Sequence, residues 1–118
     1  MHTILLIEDD PLSREVLHEL LDLSGYGVRV AETAEAALGQ IEGSDLVIAD
    51  VMLPGMSGLE FTRLLRETHP ELPVLMLSAL ARHTDQSAGM GSGATLYMTK
   101  PYDVHELLRQ IEKLLKRA

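Results

Sequence analysis

Short apolar runs alternate with stretches of helical period from one end of the chain to the other. Thr3 to Ile7, Gly27 to Ala31, Leu46 to Ala49, Val74 to Leu77 and Thr95 to Met98 read as strands. Runs this short, apolar at consecutive positions and bounded by turn residues, suit strands buried on both faces of a parallel sheet. The intervening segments repeat at three to four residues. Asp10 is a plausible N-cap with Pro11 at the first helical position, and Leu12, Val16, Leu17, Leu20, Leu21 and Leu23 form one apolar stripe that Gly25 stops. A second helix is expected from about Ala34 to Ile41 after Thr33. Ser57-Gly58-Leu59-Glu60 reads as a capping box for a third helix, Gly58 to His69, closed by Pro70. A weak fourth helix should span Thr84 to Gly91, where Gly89 and Gly91 each cost roughly 1 kcal/mol relative to alanine, so this helix is expected to be mobile or frayed. Asp103 and Glu106 make a cap-like pair ahead of the stripe Val104, Leu107, Leu108, Ile111, Leu114 and Leu115. Lys113, Lys116 and Arg117 suit the C-terminal dipole of this fifth helix. The alternation predicts βαβ units and a doubly wound α/β fold, with right-handed crossovers laying helices on both faces.

A length of 118 residues fits one domain, 1–118, and the composition (46% hydrophobic, 24% charged) is that of an ordinary globular protein. A net charge of −8 argues against direct nucleic-acid binding, which needs clustered Lys and Arg. With no cysteine, thiolate metal sites and thiol catalysis are excluded. Met1-His2-Thr3 leads straight into a strand without a basic leader, and the apolar runs fall far short of the ~20 residues of a membrane helix, so a cytoplasmic protein with no membrane role is expected.

In a parallel sheet the C-terminal ends of all strands open on one edge, so residues just after each strand become neighbours. The first strand ends in Glu8, Asp9 and Asp10, the third in Asp50, the fourth in Ser78, and the fifth in Thr99 and Lys100. The second, with Glu32, is expected at the sheet margin. Carboxylates gathered this closely repel and are stable together with a cation present, and hard oxygen donors without cysteine or a histidine pair select Mg²⁺ or a similar ion. The plainer reading makes Glu8, Asp9 and Asp10 solvated loop acids, with Asp10 a helix cap. The recurrence of polar groups at the matching corner of separate strands favours a site. Lys100-Pro101 is either a cis bond that aims the lysine inward or a trans proline ending a strand.

ILLIEDDP at 4–11, DLVIADVMLPGMSGLE at 45–60, PVLMLSA at 73–79 and GATLYMTKPY at 93–102 together resemble the receiver domain of two-component response regulators, over essentially the whole chain. The resemblance implies a flavodoxin-like five-stranded sheet of order 2-1-3-4-5 with five helices. It also implies a phosphoacceptor at Asp50, accepting a phosphoryl group from a sensor histidine kinase or phosphotransfer protein. Mg²⁺ (or Mn²⁺) would be held by Asp9, by Glu8 through water, by Asp50 and by the Met52 carbonyl. Ser78 would hydrogen-bond one phosphoryl oxygen and Lys100 pair with another, with Ala79 and Pro101 shaping the site. Tyr97 would turn from outside to inside, altering the face of the fourth helix, fifth strand and fifth helix that meets an output domain or partner. Such a protein is a signalling phosphoacceptor rather than an enzyme, its own activity limited to self-phosphorylation and self-dephosphorylation.

This sequence departs from the family at a few positions. Ser78 stands where threonine is more frequent and keeps the hydroxyl. Thr95-Leu96 replace the Asp pair that supports a dimer in many DNA-binding members, so a homodimer is expected to be weak. An aspartyl phosphatase is the main enzymatic alternative, but the second carboxylate expected two residues after its nucleophile is here Met52. A flavodoxin-like redox role conflicts with Glu8-Asp9-Asp10 in the loop that would cradle a flavin phosphate. A binding-only receiver conflicts with the intact polar set. Gly89 to Ala94 fits G-x-G-x-x-A but leads into a strand, the wrong context for a dinucleotide site. His2, His18, His69, His83 and His105 lack ligand spacing and are expected at the surface.

Overall fold

The computed structural model describes residues 1–116. Among them, strands β1 (Thr3–Ile7), β2 (Gly27–Ala31), β3 (Leu46–Ala49), β4 (Val74–Ser78) and β5 (Leu96–Thr99) alternate with helices α1 (Pro11–Leu23), α2 (Ala34–Leu38), α3 (Gly58–Thr68), α4 (His83–Gly91) and α5 (Val104–Leu115). All strand pairs are parallel and the order is β2-β1-β3-β4-β5, as expected. Arg117, expected at the end of α5, lies outside the described residues.

Burial follows from that order. The central strands β3 and β4 are buried along their whole length and β1 from Ile4 onward, whereas the marginal strands β2 and β5 are mostly half-buried. Period-two alternation splits the central side chains between two cores. One face carries Leu5, Ile7, Val47, Ala49, Val74 and Met76 against Ala34 and Ala37 of α2 and Phe61 and Leu65 of α3. The other carries Ile4, Leu6, Leu46, Ile48, Leu75 and Leu77 against Leu17 and Leu21 of α1 and Leu107, Ile111, Leu114 and Leu115 of α5.

The element ends differ from expectation in instructive ways. Helix α2 stops at Leu38, short of Ile41, because the Arg29 guanidinium reaches out from β2 and gathers the carbonyls of Gln40, at 2.9 Å, and Glu42. Ile41 is still buried, from a loop rather than a helix. Strand β5 starts one residue late, because the Thr95 hydroxyl accepts from the Val74 amide at 3.1 Å. Ser57 caps α3 through the Glu60 amide at 3.2 Å, which is half of the expected box. The α1 stripe splits: Leu17 and Leu21 are buried, while Leu12 is 70% and Val16 52% exposed. His69 is half-buried rather than at the surface, with a ring nitrogen 2.8 Å from the Thr68 hydroxyl.

Candidate functional site

The register levels the strand ends: Ile7 pairs with Ala49, Ala49 with Met76, and Ser78 with Thr99. The residues that follow are therefore presented together. The Asp50 amide still bonds the Ile7 carbonyl (3.4 Å) and the Lys100 amide the Ser78 carbonyl (2.8 Å), so these side chains stand on the last rungs of the ladder rather than on free loops.

At the centre is the Lys100 ammonium. Its Nζ donates to Glu8 Oε1 at 2.6 Å and to Asp50 Oδ2 at 3.0 Å. Glu8 is 3% exposed, and its second oxygen accepts from the Asp10 amide at 3.3 Å. A buried carboxylate is tolerated only when paired and hydrogen-bonded, and Glu8 is both. Burial works to lower the Lys100 pKa, but its bonds to Glu8 and Asp50 outweigh that and hold the pKa above the ordinary lysine value. Lys100 is therefore charged throughout the physiological range. The bond between Lys100 and Pro101 is cis.

Asp50 uses its other oxygen, Oδ1, to accept from the Met52 amide at 3.0 Å. The loop beneath it is held by close backbone packing. A Cβ at Gly58 would fall 2.1 Å from the Asp50 carbonyl oxygen, so this position admits only glycine. The Thr62 hydroxyl, fully buried, donates to the Gly58 carbonyl at 2.8 Å and closes the same turn. Further along, Gly55 has φ +75, and Glu35 of α2 accepts from the Met56 amide at 3.1 Å, tying α2 to the loop after Asp50.

Ser78 is fully buried at the end of β4, with its Oγ accepting from the Leu80 amide at 3.2 Å across exposed Ala79. The Leu80 carbonyl accepts from the Tyr97 hydroxyl at 2.7 Å. One peptide segment thus joins the Ser78 hydroxyl to the Tyr97 ring. Asp9 is exposed, and Arg14 of α1 donates to the carbonyls of Glu8 (3.0 Å) and Asp9 (3.4 Å) while pairing with Glu32 at 3.2 Å. Asp10 caps α1 through the Ser13 amide at 2.8 Å, and that bond lowers its pKa.

Of the residues singled out from sequence, Glu8, Asp50, Met52 and Lys100 are thus linked directly, and Ser78 and Tyr97 are joined only through the Leu80 backbone. Asp9 makes no side-chain bond to them. Among the described residues no three acidic or histidine side chains form a preformed metal cage. The donor set of Glu8, Asp9, Asp50 and the Met52 carbonyl nevertheless consists of hard oxygens, the kind a small divalent cation takes, and only one ammonium balances its three carboxylates. Sequence reading missed Arg14, Glu35, Gly58 and the Leu80 peptide. Gly58 carried a signal, a glycine at the first position of a capped helix, whereas the Leu80 carbonyl carries none.

Beside Lys100, the exposed Leu12 and Val16 of α1 line an apolar groove with Pro101 and Tyr102. No helix among the described residues is long and apolar enough to cross a membrane.

A family model described as the response regulator receiver domain matches residues 4–112. The chain is 40% identical to a protein named transcriptional regulatory protein CpxR from Klebsiella pneumoniae over 119 residues, all of this chain and 51% of that protein. It is also 40% identical to the response regulator MprA of Mycolicibacterium vanbaalenii over 117 residues, 98% of this chain and 51% of the relative. The chain therefore spans about half the length of these relatives. Among solved structures, the beryllofluoride-activated DrrB receiver domain superposes with a TM-score of 0.92 at 34% identity, covering 98% of both chains. The Francisella response regulator 1452 receiver domain superposes with a TM-score of 0.91 at 28% identity, covering 99% of this chain and 98% of that one.

Proposed function

Because the chain belongs to the response regulator receiver domain family, we propose that Asp50 is its phosphoacceptor and that residues 1–118 form one receiver domain. The observation that carries this reading is the Lys100 ammonium bridging Glu8 and Asp50 at the sheet edge, with the Ser78 hydroxyl one strand away. An oxygen of Asp50 attacks the donor phosphorus in line, the phosphorus bond to the leaving group breaks, and an aspartyl phosphate forms. Lys100 leaves its Asp50 contact for a phosphoryl oxygen and Ser78 donates to another, so the protein supplies position and charge. Glu8, Asp9, Asp50 and the Met52 carbonyl are the groups that would hold Mg²⁺ or Mn²⁺, which when bound neutralises charge on the phosphoryl oxygens. The domain acts as a signalling switch whose own chemistry is self-phosphorylation and self-dephosphorylation.

A sensor histidine kinase or phosphotransfer protein must bring its phosphohistidine to Asp50. The groove of Leu12, Val16, Pro101 and Tyr102 opens beside Lys100 and offers an apolar helix of such a donor a seat within reach. On the output side, turning the Ser78 hydroxyl toward a phosphoryl oxygen breaks its bond to the Leu80 amide. The movement passes through that peptide to Tyr97 and so to β5 and α4, the part that moves of the face of α4, β5 and α5 that meets an output domain or partner protein, while α5 holds still. With Thr95 and Leu96 at that face, self-association is weak, and the acidic charge of −8 leaves any contact with nucleic acid to another part of the protein. A chain with this site works in the cytoplasm, where kinase and phosphodonor are found.

The test is intact mass after incubation with acetyl phosphate, with and without Mg²⁺, for the protein and its Asp50→Asn variant. The reading requires a Mg²⁺-dependent gain of one phosphoryl group that Asp50→Asn abolishes. A folded protein that gains none, or a variant that gains as much, contradicts it.

A further inference from the structure

Tyr97 is seated against a bare stretch of helix. Gly89 is the buried residue of α4, and a Cβ built on it would lie 2.5 Å from Tyr97 Cδ2 and 2.8 Å from Cε2. The same Cβ would lie 3.2 Å from the sulfur of Met76, a fully buried residue of β4, so a methyl group at this position would be crowded from the sheet side as well as by the ring. The helix is held at the same point. The Ser92 hydroxyl and the Ala94 amide both donate to the Gly89 carbonyl, at 2.6 and 3.4 Å. Gly91, two residues on and on roughly the opposite side of the helix, has nothing within 4 Å of a built Cβ. Both glycines weaken α4, yet only one of them makes room for anything.

We infer that Gly89 is a positioning residue, a socket whose missing side chain allows the Tyr97 ring to turn inward and its hydroxyl to bond the Leu80 carbonyl. Its functional consequence rests on the output role proposed for Tyr97, but the seating itself does not. A methyl group at position 89 leaves the ring only one route, outward toward solvent, because interiors yield little to overpacking. The residue at position 89 then sets the balance between inward and outward Tyr97 before any phosphoryl group arrives, and so the threshold of the switch.

The full chain labelled with 3-fluorotyrosine gives one fluorine resonance each for Tyr26, Tyr97 and Tyr102, and Tyr97→Phe identifies the one at issue. Gly89→Ala should move the Tyr97 resonance toward that of an exposed tyrosine, lowering the inward-to-outward ratio by about tenfold or more, with Tyr26 and Tyr102 unmoved. Gly91→Ala should leave all three in place. Thermal unfolding gives the second arm: Gly89→Ala should lower Tm in the native background and raise it when Tyr97 is alanine, where only the helix-propensity gain remains. An unmoved Tyr97 resonance in Gly89→Ala overturns the inference. So does a variant that fails to fold and is not rescued by Tyr97→Ala. If Gly89→Ala displaces Tyr97 but acetyl phosphate moves Tyr97 in neither protein, the socket stands and the output role of Tyr97 falls.

Discussion

Helices α4 and α5 pack on opposite faces of the same marginal strand, β5, and hold on to it by different means. From α5, Leu107, Ile111, Leu114 and Leu115 enter the core, and Asp103 caps its start through the Glu106 amide at 2.9 Å. From α4 the buried residue is Gly89, and Asp85 holds the Arg82 amide at 3.1 Å at its start. One helix is anchored by apolar area, which resists displacement in proportion to what it buries. The other is anchored by a tyrosine ring received from the strand and by hydrogen bonds at its ends. The two attachments suit the switch proposed above: a frame that keeps Glu8, Asp50 and Lys100 in register, and a neighbour on the Ser78 side held by little buried apolar area.

Core truncation should separate the two helices most sharply. Ile111→Ala in α5 is expected to lower stability by about 2–5 kcal/mol, since it empties a fully buried position. Met90→Ala in α4, at a half-exposed position, should change stability by no more than about 0.5 kcal/mol. Equal shifts in urea midpoint would remove the distinction. Next in size, Gly91→Ala should stabilise the protein by up to about 1 kcal/mol, because its Cβ meets only open space and alanine is the better helix former at this last position of α4. A loss of stability there would mean that α4 is held by contacts rather than tuned by its glycines.

The smallest effect belongs to the surface of α5. Glu106 accepts from Gln110 at 2.8 Å and from Arg109 at 3.0 Å, and these bonds, Gln110 first, lower its pKa. A carboxylate whose folded pKa lies below its unfolded one contributes stability at neutral pH and loses it as pH falls through the folded value. Glu106→Gln should therefore be slightly less stable than the native chain at pH 7, with the gap closing under acid. A gap independent of pH would assign the effect to something other than charge.

Much of the frame was legible because it depends on neighbours in sequence. Asp10-Pro11, Thr33 and Ser57 announce the helix starts that they cap, and apolar runs such as Leu46 to Ala49 announce central strands. The strand ends then place Glu8, Asp50, Ser78 and Lys100 on one edge by topology alone. What was not legible depends on long-range partners. Arg29, on the preceding strand β2, ends α2 early by holding the Gln40 carbonyl, and Leu12 and Val16 lack a cover that their periodicity alone would suggest. Arg66 ties α3 to the turn before β5, donating to the Gly93 carbonyl at 2.8 Å, where the sequence shows only a helix-surface arginine. Lys100 appears in sequence as one cation among several polar groups. Only the fold shows that it is bonded to two carboxylates at once, while Asp9 stays in solvent.

The division between α4 and α5 predicts that a phosphoryl group at Asp50 loosens or reorders one side of β5 and leaves the other alone. Amide hydrogen exchange of the protein and its Asp50→Asn variant, with acetyl phosphate and Mg²⁺ added or withheld, measures this residue by residue. Phosphorylation should change protection from Ala79 through Tyr97 and leave α5, Val104 to Leu115, as it was, with no change in the variant. Equal changes in α5, or changes that survive Asp50→Asn, would contradict it.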